Sequence, residues 1–285
     1  MFRIQSRHIM DCYHNGALNG ISIMPNSPYL AECMDAIKDV RQNLAVAVHL
    51  NFVEGKPLTG KKARKLTDRE GNFNIGFGKL LIVGCIPIVR VLYSRQIRKE
   101  IRAQLEACAP YMNDGVYRID GHVHYHMLPI VFDSLMEEIK RAGVRVSYIR
   151  FPSEDLRIYR RASGKLTGVK PINVVKALVL NVLGKRNIKK YREALQELDL
   201  ERRLFMGVML SGHMFYDNVT ECLKHAKDIA EYEGIGGMEL LFHPGDVSDE
   251  EEMYQLTAAS DIDFLSENSE NRKKEAQALC RLKKA

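Results

Sequence analysis

Residues 116–150 read VYRIDGHVHYHMLPIVFDSLMEEIKRAGVRVSYIR. The first part, VYRIDGH at 116–122, has the β-branched and aromatic content of a buried strand, and VRVSYIR at 144–150 repeats it. Between them LPIVFDSLMEEIKRAG carries apolar residues at helical spacing over 129–142 and closes on Gly143, a helix stop. A strand, a helix and a second strand in so short a span predict two parallel strands joined by a crossover helix.

The same alternation extends outward in both directions. GISIM at 20–24, LAVAVHLNF at 44–52, FMGVMLSG at 205–212 and MELLFHPG at 238–245 read as further strands. Helical spacing appears at 27–42, 94–109, 217–233, 249–258 and 268–284, with Ser27 as the expected N-cap of the first and a proline directly after it. The fold class is therefore α/β, a parallel sheet or barrel wrapped by helices. Two segments interrupt the pattern: 56–93 opens as a basic, glycine-containing loop and ends in LLIVGCIPIV, and 160–204 is rich in Lys and Arg around NVVKALVLNVLGK. On a barrel such insertions build the mouth of the site or an outer helix, so the chain is read as a single domain over 1–285.

Composition excludes several classes. The 285 residues, 46% hydrophobic and 27% charged, are those of a globular protein with a sizeable core. The net charge of +6 is spread along the chain apart from GKKARK at 60–65, with no compact basic stripe interleaved with aromatics, so no nucleic-acid partner is expected. The six cysteines lie far apart without a CxxC pair and read as reduced thiols. MFRIQSRHIMDCYHNG lacks the apolar run of a signal peptide, and LLIVGCIPIV is too short to span a bilayer, which predicts a cytoplasmic protein without a membrane span.

Chemistry-bearing residues gather at the C-terminal ends of the expected strands: His49 in LAVAVHLNF, Asp120 and His122 in VYRIDGH, His213 after VMLSG, and His243 in MELLFHPG. Active sites of barrels and open α/β sheets are built there. If the strand ran on through DGHVHYH, Asp120, His122, His124 and His126 would share one face, a cluster of metal-ligand types. Each residue also has a plain structural reading. His49 alone would serve as a hydrogen-bonded core histidine, and His243 before Pro244 as a turn residue. His8, His14, His126 and His225 read as surface or helix residues without a role.

The segments NGALNGISIMPNSPYLAE at 15–32, AVAVHLNFVEGKPLT at 45–59, YRIDGHVHYHMLPIVFDSLMEEIKRAGV at 117–144, IRFPSE at 149–154 and MELLFHPG at 238–245 resemble, in order, those of the YdjC-like carbohydrate deacetylases. The resemblance implies an irregular TIM-like (β/α) barrel with a divalent metal held by an aspartate and two histidines, which carry over by position to His49 and His122. Magnesium is the expected ion and zinc the alternative. His243 matches the histidine of the family's late HP motif, a proton donor or substrate-orienting group. Asp120 and His124 would orient the ligands. Arg150 would hold sugar hydroxyls or an anion, or else serve as a salt-bridge partner, and His213 falls among the residues bordering the substrate.

The family also opens with a strand ending in ADDFG or ADDYG, which supplies the metal-binding aspartate and a neighbouring carboxylate base. MFRIQSRHIMDCYHNGAL aligns with the helix after that motif, so the first strand is read as missing, and Asp11 falls too far along that helix to replace the pair. The reading favours a native protein extending beyond Met1 over a truncated relative.

The expected activity is hydrolysis of an N-acetyl group from an acetylated amino sugar or oligosaccharide, with a homodimer as the expected assembly. Two rivals stand beside it: a noncatalytic carbohydrate-binding relative, and a metal-dependent phosphoesterase on a related barrel.

Overall fold

The structure is a computed structural model and describes residues 3–245 and 269–282, so the helix expected over 249–258 lies outside the described residues. The chain groups into two compact units. One comprises residues 20–150 and 185–201; the other, among the described residues, comprises 3–19, 151–184, 202–245 and 269–282.

In the first unit β1 (Gly20–Ile23), β2 (Ala45–Leu50), β3 (Val116–Gly121) and β4 (Arg145–Ile149) form a four-stranded parallel sheet in sequence order. Val46, Val48, Leu50, Ile119 and Ile149 are buried, the near-continuous apolar content of strands covered on both faces. The connections are helical: α2 (Leu30–Ala36) leads from β1 to β2, α3 (Phe77–Cys85) and α4 (Pro87–Cys108) from β2 to β3, and α5 (Pro129–Ala142) from β3 to β4. Helix α4 buries Ile97, Ile101, Leu105 and Cys108, one stripe at helical spacing, and packs along α5. Gly143 ends α5 as its sequence predicts, left-handed at φ 60° with its N–H on the carbonyl of Ile139 at 3.1 Å.

Several other expected boundaries need correction. The helix over 27–42 is reduced to α2. Its approach is a turn in which the Ser27 hydroxyl accepts from the Tyr29 N–H at 3.2 Å, so Ser27 shapes the entry while Tyr29 stands at the cap position. Helix α4 starts earlier than residue 94, at Pro87, where a missing N–H costs nothing. The extended run through DGHVHYH stops at Gly121: His122–Met127 is a 3₁₀ segment with Val123 and His124 at φ 46° and 58°, so the histidines do not share a strand face. Left-handed backbone at two successive non-glycine residues costs on the order of 1–3 kcal/mol each.

In the second unit β5 (Leu204–Met206) and β6 (Met238–Leu240) form a short parallel pair. Helices α1 (Arg3–Asn15), α6 (Leu156–Ala162), α9 (Tyr216–Tyr232) and α10 (Ser269–Arg281) belong here, with the greater part of α7 (Pro171–Lys190). The strand expected over 205–212 ends at Met206 because Glu154, fully surrounded, gathers the next three amides. It accepts from Gly207, Val208 and Met209 at 2.6, 2.9 and 2.8 Å and from the Tyr159 hydroxyl at 2.8 Å. Gly207 turns the chain at φ 151°, where a Cβ would meet the Leu241 side chain at 2.7 Å.

The tail of α7 and α8 (Arg192–Glu197) return to the first unit, held there by Asp133 of α5. That buried carboxylate accepts from Arg186 at 2.8 Å, Lys190 at 2.7 Å and the Tyr191 hydroxyl at 2.9 Å, and pairs with Arg90 of α4. Burial alone would raise its pKa; the bonds from Arg186, Lys190 and Tyr191 outweigh that and bring it down to about 2. Its stabilisation is therefore complete above about pH 4 and lost as the pH falls toward 2. Urea denaturation of Asp133→Asn should show a loss of about 2 kcal/mol near neutral pH, with the wild-type advantage disappearing in acid; an equal difference at all pH values would refute the assignment.

Candidate functional site

The parallel register sets His49 of β2 beside Asp120 of β3, and the ends of all four strands of the first unit meet at the Asp120 carboxylate. Its Oδ1 accepts from His49 Nδ1 at 2.6 Å and its Oδ2 from the Ser22 hydroxyl of β1 at 2.6 Å, while Arg150, directly after β4, completes an ion pair. Asp120 is only 1% exposed. Burial pushes its pKa up, but the Arg150 guanidinium, His49 and Ser22 together hold it well below the usual carboxylate range. It therefore acts as an acceptor and fixes His49 as the tautomer protonated at Nδ1.

His122 faces His49 across the end of the sheet, the ring centroids 5.4 Å apart and the planes inclined at 69°. Its Nε2 lies 3.0 Å from the Glu54 carboxylate. Burial raises the Glu54 pKa, yet its hydrogen bond and charge interaction with His122 bring the net shift below the ordinary value, so Glu54 too is an acceptor and His122 carries its proton on Nε2. The facing atoms His49 Nε2 and His122 Nδ1 lie 3.3 Å apart, and with both rings neutral and each proton turned to its carboxylate both would be lone pairs. Two imidazole nitrogens that ligate one ion at about 2.1 Å lie roughly that far from each other. Burial, ahead of its neighbours His122 and Arg150, lowers the His49 pKa despite Asp120, which keeps that lone pair available. The pair thus fits a divalent cation as two of its donors. Among the described residues no group of three or more His, Cys, Asp or Glu side chains is placed to hold a metal.

Glu54 has no place in the strand-end reading; the HLNFVEG stretch positions it through buried amides. Gln104 of α4 clamps Asn51 just beyond β2, accepting from its N–H at 2.9 Å and donating to its carbonyl at 2.7 Å. The Asn51 side chain accepts from Val53 and Glu54 N–H at 2.9 and 3.1 Å and donates to the Glu54 carbonyl at 2.8 Å, a side-chain-closed turn. Asn26 donates to the carbonyls of Glu54 and Lys56 at 2.9 and 3.1 Å. Glu100, also on α4, takes the amides of Leu58 and Thr59 at 2.9 and 3.0 Å. The one signal in the sequence is a cluster of polar residues at apolar-flanked positions, which periodicity alone cannot distinguish from a loop.

The remaining expected residues are placed as follows. His124 is half-buried beside His126, with ring centroids 6.3 Å apart. His126, expected at the surface, is fully buried, and its Nε2 donates to the Arg150 carbonyl at 2.8 Å. Burial lowers its pKa to about 4. Arg150 is spent on Asp120. His213 and His243 belong to the second unit. The His213 ring lies over Gly168, whose Cβ would fall 1.9 Å from its Cδ2, and beside Phe215 at 5.3 Å. His243 follows β6, its N–H donated to Glu275 of α10 at 2.6 Å; burial pushes that carboxyl up to about 7.

Gly121 connects the strand to the histidine turn. Its backbone is extended, so its need for glycine is one of space: a Cβ would sit 2.7 Å from His126 Nδ1 and 3.0 Å from its Cβ. Gly121→Ala should displace His126, break its bond to Arg150 and destabilise the fold by about 2 kcal/mol. Thermal unfolding checks this, and an unchanged midpoint would show the turn to be adaptable.

Comparison with known proteins agrees with an α/β fold built on a parallel sheet. A carbohydrate deacetylase of Danio rerio is 26% identical over 153 residues, covering 53% of this chain and 46% of that protein. One of Thermoanaerobacter pseudethanolicus is 28% identical over 133 residues, 46% of this chain and 49% of its own, and one of Homo sapiens is 27% identical over 150 residues, 51% and 43%. The chain spans about half the length of the curated relatives it matches. Among solved structures, an Enterococcus faecalis V583 protein described as a cellobiose-phosphate cleavage protein superimposes with a TM-score of 0.60 at 15% identity, covering 98% of this chain and 85% of that one. The family model described as YdjC-like protein matches residues 3–283, and the chain belongs to that family.

Proposed function

We propose that the protein is a metal-dependent carbohydrate deacetylase that hydrolyses the N-acetyl group of an amino sugar or oligosaccharide. The observation that carries this reading is the pair of convergent ring nitrogens of His49 and His122, each ring held by its own carboxylate. It stands in a chain of the YdjC-like family whose relatives are named carbohydrate deacetylases. A divalent ion, magnesium or zinc, would supply Lewis acidity for the acetyl carbonyl and for water. Within that scheme His49 and His122 bind the ion, Asp120 and Glu54 hold them in the ligating tautomers, and Arg150 keeps Asp120 ionised so that it cannot exchange roles with His49. The resemblance adds an aspartate as a third donor and His243 as proton donor to the leaving amine, with His124 and His213 as residues around the substrate. A TIM-like barrel, a single domain, a cytoplasmic location and a homodimer belong to the same proposal; no helix among the described residues is long and apolar enough to cross a membrane.

Calorimetric titration of Mg²⁺ and Zn²⁺ into the folded chain, paired with an acetate-release assay on N-acetylated chitooligosaccharides, tests this reading. Stoichiometric binding should disappear in His49→Ala and in His122→Ala and weaken roughly 10–100-fold in Glu54→Ala, with acetate released only by the metal-loaded wild type. A folded wild type that binds neither ion overturns the metal reading. Metal and saturable sugar binding without acetate release would favour the noncatalytic alternative.

A further inference from the structure

Helix α7 turns Asn173 and Asn181 inward with Ala177 and Leu180, and leaves most of its large apolar residues outward. Inside its unit Asn173 donates to the carbonyls of Met209 and Ser211 at 3.5 and 3.3 Å. Asn181 exchanges two hydrogen bonds with the Glu154 backbone at 2.8 and 2.9 Å, and Ala177 and Leu180 are buried between them. On the opposite side Ile172, Val175 and Val182 are 55%, 54% and 67% exposed, and Leu178 and Val179 lie exposed between them. A helix apolar around most of its circumference requires a cover on both sides.

Charge identifies that cover. Lys170 and Lys176 are exposed on this stretch, and from Leu156 to Arg192 the chain contains no Asp or Glu amid repeated Lys and Arg. A twofold contact with a second copy would set the same patch against itself and bring these cations together. An apolar face bordered by lysines without acids suits instead the boundary of an anionic lipid bilayer, where the side chains enter the acyl region and the ammonium groups meet the headgroups. We propose that the Ile172–Val182 face of α7 docks the protein on anionic membrane surfaces as a peripheral, non-spanning contact.

Sedimentation of the full chain with vesicles of phosphatidylcholine alone, or of equal parts phosphatidylcholine and phosphatidylglycerol, tests this directly. The wild type should bind the anionic vesicles and be released by high salt, with little binding to the neutral ones. Val175→Glu/Val182→Glu, at exposed positions that tolerate a helix-forming residue, should keep the wild-type melting temperature and bind at least about tenfold more weakly. Lys170→Glu/Lys176→Glu, which preserves the apolar face, should lose the preference for anionic lipid. Three results would overturn the proposal: no vesicle binding, equal binding by the valine variant, or a wild-type dimer that the valine variant dissociates, the last assigning the face to a second copy.

Discussion

One buried carboxylate organises the first unit. Asp120 receives a hydroxyl from β1, an imidazole from β2 and a guanidinium from the end of β4 while itself standing in β3, so the four strand ends share a single charge. An uncompensated carboxylate in that position would cost several kcal/mol. Its partners must therefore be in place whenever the sheet is, and strand register and site geometry become the same requirement. Because Arg150 and His49 keep Asp120 ionised, His49 is left with one proton and one direction in which to offer its other nitrogen.

A second level of organisation works through amides instead of charges. Gln104 substitutes for a neighbouring strand at Asn51, Asn51 folds the next three residues into a turn, and the turn carries Glu54 to His122. Asn51 and Gln104 are buried and each of these groups has its partner, the condition under which a polar network specifies geometry instead of weakening the core. The second unit follows the same pattern, with Glu154 gathering the amides after β5 and Glu275 holding those of Met214 and His243. Buried carboxylates thus set the shape of loops in both units. The strain at Val123 and His124 lies where the chain leaves β3 to bring His122 opposite His49.

The two segments that interrupt the strand and helix alternation have a common composition. Each lacks acidic residues over a long stretch, from Gly71 to Lys99 and from Leu156 to Arg192, and each leaves large aliphatic side chains exposed, among them Ile82, Ile88, Val175 and Val182. They add little to the chemistry at the strand ends. For the α7 segment, that composition is the basis of the proposed contact with anionic membrane surfaces.

The sequence by itself determined the parallel α/β sheet, because buried parallel strands require continuous apolar runs and crossover helices require a 3.6-residue period, and both patterns are local. It also located His49, Asp120 and His122 at strand ends, and Gly143 as the residue that stops α5. Only the tertiary structure decided which nitrogen of each histidine faces the other ring, since the opposite nitrogen is taken by Asp120 or Glu54, residues distant in sequence from their partners. It alone decided that β5 stops at Met206, because the amides that end it answer to Glu154, and that His126 is a buried pin with its Nε2 on Arg150 instead of a surface group. Hydrophobic periodicity is a property of neighbours along the chain; the partners of a buried polar atom are set by packing, and no period in the sequence records them.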